Sequence, residues 1–355
     1  MISIVIPTYN RAKLIHRALD SVLAQTFTDW ECIVVDDFST DNTKDVVEQY
    51  IAKDKRFRYV VNERKKGAQG ARNTGILLSS FEWIYLLDSD NIAHSDMLEK
   101  LVKRIEPEID VINCFSKIID TKTNNQVGTL NFVNEGDIKE GIINGNSYVD
   151  FNQAIIRKRK LMEINLLDED CPSMQEWDTH IRLSEISRYA TVKEYLVDYF
   201  INGEDAISTD KRREVKGHLY VFRKHLVVWR RNKSAVRRMV KQTYEIIRDD
   251  KNYMFRLFSF VKLAWLSPYT IKYAIKRQFP NIKIMKEKLL QYIYIYIYIY
   301  NELDALLLWR ETKKHSVFGC KHWMFEMNYI NAMWVSGQYY KTAILLMNGD
   351  DQRRG

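Results

Sequence analysis

The stretch "LLDSDN", residues 86 to 91, ends an apolar run with two carboxylates one residue apart, Asp88 and Asp90. Side chains at i and i+2 of an extended segment project to one side, so both can serve one site. Such a pair holds a cation or forms a solvated turn. Hard divalent ions that bind substrate phosphates use only one or two protein carboxylates, which suits the first reading. Asp36 directly follows "CIVV". It can accept from a ring N–H or a ribose hydroxyl, or it can staple the turn "DDFSTDNT", rich in Asx and Ser/Thr turn formers. Gly67 and Gly70 precede Ala71-Arg72-Asn73-Thr74-Gly75. Small residues there permit close backbone approach, and Arg72 at a helix start can face a phosphate.

These residues need elements that carry them to one place. "SIVIP" reads as a strand, followed by the helical "RAKLIHRALDSVLAQ" with Leu14, Ala18, Leu19, Val22 and Leu23 on one face. "WECIVVDD" precedes "NTKDVVEQYIAK", "RFRYVVN" precedes the helix opening near "GARNTGILLSS", and "WIYLLDSD" precedes "HSDMLEKLVKRI". Alternating strands and helices at these spacings predict βαβ units and an α/β, doubly wound, mostly parallel sheet covered on both faces. In such sheets ligands bind beyond the carboxyl ends of the strands. The exits "PTYN", "DDFSTDN" and "DSDN" are therefore where a site is expected. Between 106 and 170 the pattern is weaker: "VINCFSKIID" reads as a strand, "TKTNNQVG" as a turn, and "VDFNQAIIRKRKLMEI" as a strand entering a basic helix.

With 355 residues, 46% hydrophobic and 28% charged, the chain has the make-up of a globular protein long enough for two cores. Cys32, Cys114, Cys171 and Cys320 lie far apart with no C-x-x-C pair, which argues against a disulfide framework and a zinc site. The opening residues read as a strand rather than a signal peptide, so a cytoplasmic location is expected. The net charge of +8 is unevenly spread: residues 1–210 carry 25 Lys and Arg against 35 Asp and Glu, and residues 211–355 carry 29 against 11. The change follows "NGEDAISTDKRR", where turn formers cluster and a basic run begins. This composition predicts a first domain over 1–210, with halves 1–105 and 106–210, and a basic, mainly helical extension over 211–355.

Taken together and in order, "SIVIPTYNRA", "VVDDFSTDNT", "GAQGARNTG", "LLDSDN" and "QEWDTHIRLS" resemble glycosyltransferase family 2, inverting enzymes of the GT-A fold that use nucleotide-activated sugars. The resemblance covers about residues 1–210. It implies that Thr8, Tyr9, Asn10 and Asp36 contact the nucleoside, that Arg72 lies near the diphosphate, and that Asp88 and Asp90 form the D-x-D pair, with Asp90 the preferred ligand of Mg2+ or Mn2+. It places the general base at Glu176 in "QEWD", with Asp178 as a fallback. The implied reaction is metal-dependent, inverting transfer from a nucleotide sugar, a UDP-sugar first among them, to a saccharide or lipid-linked acceptor. Such a reaction builds cell-surface polysaccharide or glycolipid. Without the resemblance, Glu176 reads as an exposed charge on a helix that turns Trp177, Ile181 and Leu183 inward. Where relatives often carry a histidine, this chain has Asn202; His94 and His180 read as structural.

Beyond residue 210, "HLYVFRKHLVVWRRNKSAVRRMVKQTYEIIRD" sets Leu219, Phe222, Leu226, Trp229, Val236, Met239 and Val240 at mostly helical spacings among Lys and Arg. Such a helix packs its apolar face, or its basic face meets an anionic membrane at the inner side of the cell membrane. "FSFVKLAWLSPYTIKYAIKRQF" is too interrupted, by Lys262, Pro268, Lys272 and Lys276, to span a bilayer. "YIYIYIYIY" at 292–300 alternates like a strand with a Tyr face and an Ile face. A second function class, a nucleic-acid-binding protein working through the basic arm, lacks a zinc-finger or RNA-binding signature. Nucleic acid is therefore not an expected partner.

Overall fold

The computed structural model describes residues 1–201, 210–230, 232–267 and 269–278. Strand β1 (Ile2–Thr8) is buried along its whole length and pairs in parallel with β2 (Trp30–Asp36) and β4 (Trp83–Leu86); β2 in turn pairs in parallel with β3 (Phe57–Val61). Near-continuous apolar sequence is what strands covered on both faces require. The connecting helices are α1 (His16–Leu23), α2 (Thr43–Lys53) and α3 (Ala68–Leu78). α1 begins later than the sequence pattern implied, because residues 12–15 form a turn. Ile15, Ala18, Leu19 and Val22 are buried there, whereas Leu23 is exposed. α3 packs so closely on the sheet that a Cβ on Gly75 would stand 2.2 Å from Val5 Cγ1. A Cβ on Gly70 would stand 1.9 Å from the Lys65 carbonyl oxygen.

The second half contributes β5 (Ile92–Ala93), α4 (Met97–Val102), β6 (Val111–Asp120), β7 (Gln126–Leu130), α5 (Lys139–Asn144), β8 (Ala154–Arg157), α6 (Lys158–Glu163), α7 (Gln175–Ser184) and β9 (Tyr189–Ile201). All strands join one nine-stranded sheet in the order β3-β2-β1-β4-β8-β6-β9-β5, with β7 on β6. The expected parallel sheet forms over the first four strands. β8 then runs antiparallel to both β4 and β6, while β6 and β9 are parallel. The β4–β8 register, with Tyr85 opposite Ile155, brings residues 150–153 beside the exit of β4. That segment includes a 3-10 turn, Phe151–Gln153, capped by Asp150.

The basic region is helical as far as it is described: α8 (Lys211–Lys224), α9 (Leu226–Arg230), α10 (Lys233–Asp249), α11 (Tyr253–Leu266) and α12 (Tyr269–Gln278). The long apolar pattern from 218 to 249 is thus broken at His225 and again near Asn232. By Cα packing the chain forms two compact units, Met1–Met239 and Val240–Gly355. Composition changes after 210, but packing divides at 239. In the first unit Trp229 is fully buried and meets Trp177 edge-on at 5.1 Å and Phe222 at 5.6 Å between ring centroids. In the second, Tyr244 packs on Tyr273 at 5.5 Å, and the Tyr273 hydroxyl donates to Glu245 at 2.9 Å. Among the described residues no helix is long and apolar enough to cross a membrane. Asn202, Pro268, the Tyr-Ile repeat at 292–300 and Cys320 lie outside the described residues. The other three cysteines are free thiols, all buried.

Candidate active site

The exits of the parallel strands form a line. Thr8 ends β1 in register with Asp36 at the end of β2. The chain leaving β4 reaches Asp88 and Asp90 within four residues. Thr8 is buried, its Oγ1 without a partner among the described residues, while Tyr9 is exposed beneath Lys66, whose Nζ lies 4.9 Å from the ring centre. Asn10 adopts φ 52°, and its Oδ1 accepts from the Thr40 amide at 2.8 Å. Asp36 Oδ1 accepts from the Ser39 amide (3.0 Å) and hydroxyl (2.5 Å), and Oδ2 accepts from the Tyr59 hydroxyl (2.5 Å). These contacts are those of a turn staple; a nucleoside N–H or hydroxyl would have to share or displace them.

Arg72 is buried inside α3, and one guanidinium nitrogen donates to Asp88 Oδ1 at 2.5 Å while another donates to Gln69 Oε1 at 2.6 Å. Its plane lies over Phe151, with Cζ 5.1 Å from the ring centre. Burial opposes its charge, but Asp88, Glu176 and Asp150 together raise its pKa. Arg72 Nε and Gln69 Nε2 are buried donors with no partner among the described residues. Unpartnered buried donors carry a free-energy cost that an anionic ligand would remove.

Asn152 ties the acidic residues together. Its Nδ2 donates to Asp88 Oδ2 at 2.9 Å and to Asp150 Oδ1 at 2.7 Å, and its Oδ1 accepts from the Asp88 amide at 2.7 Å. Its carbonyl accepts from the Tyr85 hydroxyl at 2.9 Å. Asp150 is buried, and burial together with the charge of Asp88 raises its pKa to about 6. Glu176, in the first turn of α7, faces the same cluster; burial and the charge of Asp150 push it up to about 7, with Arg72 opposing. Asp90 is raised to about 6 by burial and by Asp88, against Arg11 and Arg17. A Tyr199 hydroxyl held protonated by Asp150 and by burial completes the acidic pocket.

A divalent cation fits this donor set. Among the described residues no three His, Cys, Asp or Glu converge as a preformed cage. Asp90, however, is a desolvated carboxylate beside a second negative charge, the condition that a cation relieves. The protein offers one or two ligands, as phosphate-borne divalent ions require.

Arg72, Asp88 and Glu176 are thus brought together, with Asp90 next to them. Asp178 is not. It is buried, and its carboxylate accepts from Arg182 Nε at 3.0 Å, pairs with Lys224 Nζ at 2.8 Å and meets His225 Nε2 at 2.8 Å. Burial would raise its pKa, but the hydrogen bond from His225 and the charges of Arg182 and Lys224 hold it far below the usual range, which makes it a poor proton acceptor. Its position fastens α7 to α8. His180 is buried against the Tyr189 hydroxyl at 3.0 Å, and His94 contacts Asp198 at 3.2 Å. Gln69, Asp150 and Asn152 were not singled out from sequence. The pattern "DFNQ", a capping box before a strand, was the available signal.

Comparison with known proteins places this geometry. Residues 3–164 match the family model described as "Glycosyl transferase family 2". Glycosyltransferase GlyG of Streptococcus pneumoniae is 37% identical over 113 residues, 32% of this chain and 38% of that protein. The Escherichia coli UDP-Glc:alpha-D-GlcNAc-diphosphoundecaprenol beta-1,3-glucosyltransferase WfgD is 42% identical over 99 residues, 28% of this chain and 38% of that protein. The matches therefore span well under half the length of these relatives. The S. aureus TarS 1–349 structure with UDP-GlcNAc superposes with a TM-score of 0.53 at 17% identity, covering 84% of this chain and 80% of that one. That likeness carries the fold alone. The expected GT-A type sheet with a helical C-terminal part is the architecture observed.

Proposed function

We propose that the chain, whose residues 3–164 match the glycosyl transferase family 2 model, transfers a sugar from a nucleoside diphosphate to a hydroxyl acceptor with inversion. The acceptor is a saccharide or a lipid-linked glycan in cell-surface polysaccharide or glycolipid synthesis. The observation that carries this reading is the pairing of buried Arg72 with part-buried Asp88 in the same acidic cluster as Glu176. Two relatives add support: one is named for a UDP-Glc donor and a diphosphoundecaprenol acceptor, and one solved neighbour contains UDP-GlcNAc. A UDP-sugar is the first donor to test.

In this reading Thr8, Tyr9, Asn10 and Asp36 hold the nucleoside, and Arg72 meets the diphosphate. Asp90, with Asp88, would hold Mg2+ or Mn2+, which would supply Lewis-acid stabilisation of the departing diphosphate. Arg72 adds a positive charge for the same diphosphate, and its unpartnered Nε is a donor in reserve. Glu176 accepts the proton of the acceptor hydroxyl as that oxygen attacks the anomeric carbon. Its raised pKa makes it a stronger base than an ordinary carboxylate while leaving it ionised in a useful fraction near neutrality. Asp178 has no part in this chemistry.

The test is release of nucleoside diphosphate from a panel of sugar nucleotides, with and without Mg2+ or Mn2+, by wild type and by Asp90→Ala. Metal-stimulated turnover that Asp90→Ala abolishes is expected. Full activity in that variant, or no turnover of any donor by the folded chain, ends the proposal.

A further inference from the structure

Among the described residues, helix α11 has an apolar side beyond the one that packs. Ser259, Leu263, Ala264 and Leu266 are buried, which accounts for one face. Yet Tyr253 is 64% exposed, Met254 53%, Leu257 41% and Phe258 53%. Val261 and Trp265, half-buried, continue the same stripe. Met254, Leu257, Phe258, Val261 and Trp265 follow the i, i+3, i+4, i+7, i+11 spacing of a single helix face. Single exposed apolar residues are ordinary, but a contiguous row of large ones marks a binding surface.

The charge around this stripe selects the occupant. Residues 251–278 contain six Lys or Arg and no Asp or Glu. Arg256 and Lys262, both exposed, lie on α11 itself, and Lys251 stands just before its Asn252 cap. Asp249 and Asp250 lie just before the run, and a protein partner that fills an apolar stripe has no need of so basic a helix. An anionic bilayer does: aromatic and aliphatic side chains enter the headgroup region while lysine and arginine remain with the lipid phosphates. We propose that the exposed face of α11 is a lipid-docking surface that seats the chain on an anionic bilayer. The inference deepens the reading of a lipid-linked acceptor, since docking keeps the enzyme in the plane where such an acceptor lies.

The probe is the full chain with vesicles of phosphatidylcholine alone and of phosphatidylcholine containing phosphatidylglycerol, read by co-sedimentation at low and high salt. Binding to the anionic vesicles is expected, weakening roughly tenfold or more at high salt. Leu257→Glu/Phe258→Glu should lower vesicle partitioning by about tenfold or more, since it places charge where apolar surface enters the bilayer. Met254→Ala/Phe258→Ala should weaken it without adding charge, and Arg256→Ser/Lys262→Ser should reduce the salt dependence. All these side chains are exposed or at the rim, so thermal melts of the variants should match wild type. Release of nucleoside diphosphate with a soluble acceptor should also be unchanged. That activity reports on the transferase reading separately, so either idea can fail alone. Wild-type vesicle binding by the Glu variant overturns the proposal. So does a chain that ignores anionic vesicles. If the Glu variant instead lowers the melting temperature, or converts a dimer to a monomer, the stripe is covered by residues 279–355 or by a second copy, and the lipid assignment falls.

Discussion

Replacing Glu176 by Gln keeps the side-chain shape and removes the proton acceptor. If Glu176 takes the acceptor proton, turnover should fall by about 10²–10⁴-fold while donor binding stays near normal. The structure sharpens this into a pH profile. With its pKa raised to about 7 by burial and by Asp150, Glu176 is mostly protonated below neutrality and ionised above it. The wild-type rate should therefore climb about tenfold per pH unit between roughly 5.5 and 6.5 and level off near 8. In Glu176→Gln that limb should vanish together with most of the activity. Asp150→Asn provides the cross-check, because it removes the neighbouring charge that helps to raise Glu176. Its limb should move toward lower pH, and a group not facing Asp150 would show no such shift. The assay is initial rate of nucleoside-diphosphate release at saturating donor and acceptor in constant-ionic-strength buffers. A flat profile from pH 5.5 to 8 in wild type, or near wild-type turnover by Glu176→Gln, would refute the reasoning. Because the two carboxyls share an environment, the measured value belongs to the pair.

Asp90→Ala should eliminate metal stimulation but leave the thermal melt at or above that of wild type, since it deletes a desolvated carboxylate raised to about 6. Asp178→Asn should cost about 3–5 kcal/mol in urea unfolding at neutral pH, because it removes the buried anion that Lys224 and Arg182 pair with and that His225 contacts. The folded-state pKa of Asp178 is depressed, so its contribution is present above the ordinary carboxylate value of about 3.9 and lost as pH falls toward the folded value. The gap between variant and wild type should narrow only in that acid range. Gly75→Ala should destabilise by about 1–3 kcal/mol, since the new methyl enters the space of Val5 and Val35, and the check is the shift in unfolding midpoint.

The strand-helix alternation of the first hundred residues was legible because buried parallel strands are nearly unbroken apolar runs and their exits hold the turn formers. Asp88, Asp90 and Arg72 could be found that way. Asp150 and Asn152 could not: they belong to a short capped turn without periodicity, and their value lies in contacts 64 residues away along the chain. Periodicity reports which face of an element is buried, not which distant strand lies alongside it. Glu176 and the fallback Asp178 are set apart for a geometric reason. On a helix of 3.6 residues per turn, positions two apart lie about 200° around the axis, so only one of them can face the pocket. The other meets the end of α8, and no local pattern around Asp178 reveals that His225, 47 residues further on, contacts it.

The fastening of α7 to α8 bears on where this chain can be cut. Ser173 donates to the Arg213 carbonyl at 2.8 Å, Arg213 Nε donates to the Pro172 carbonyl at 2.7 Å, and Tyr220 and Lys224 both reach Asp168. A fragment ending at the compositional break near residue 210 would leave Asp178 buried with Arg182 alone and expose the faces of Trp177 that Trp229 and His218 cover. The compact unit to express on its own therefore extends to about Met239. Part of the basic region is built into that unit, and any dissection that treats all of it as a detachable tail will report a folding defect as a loss of function.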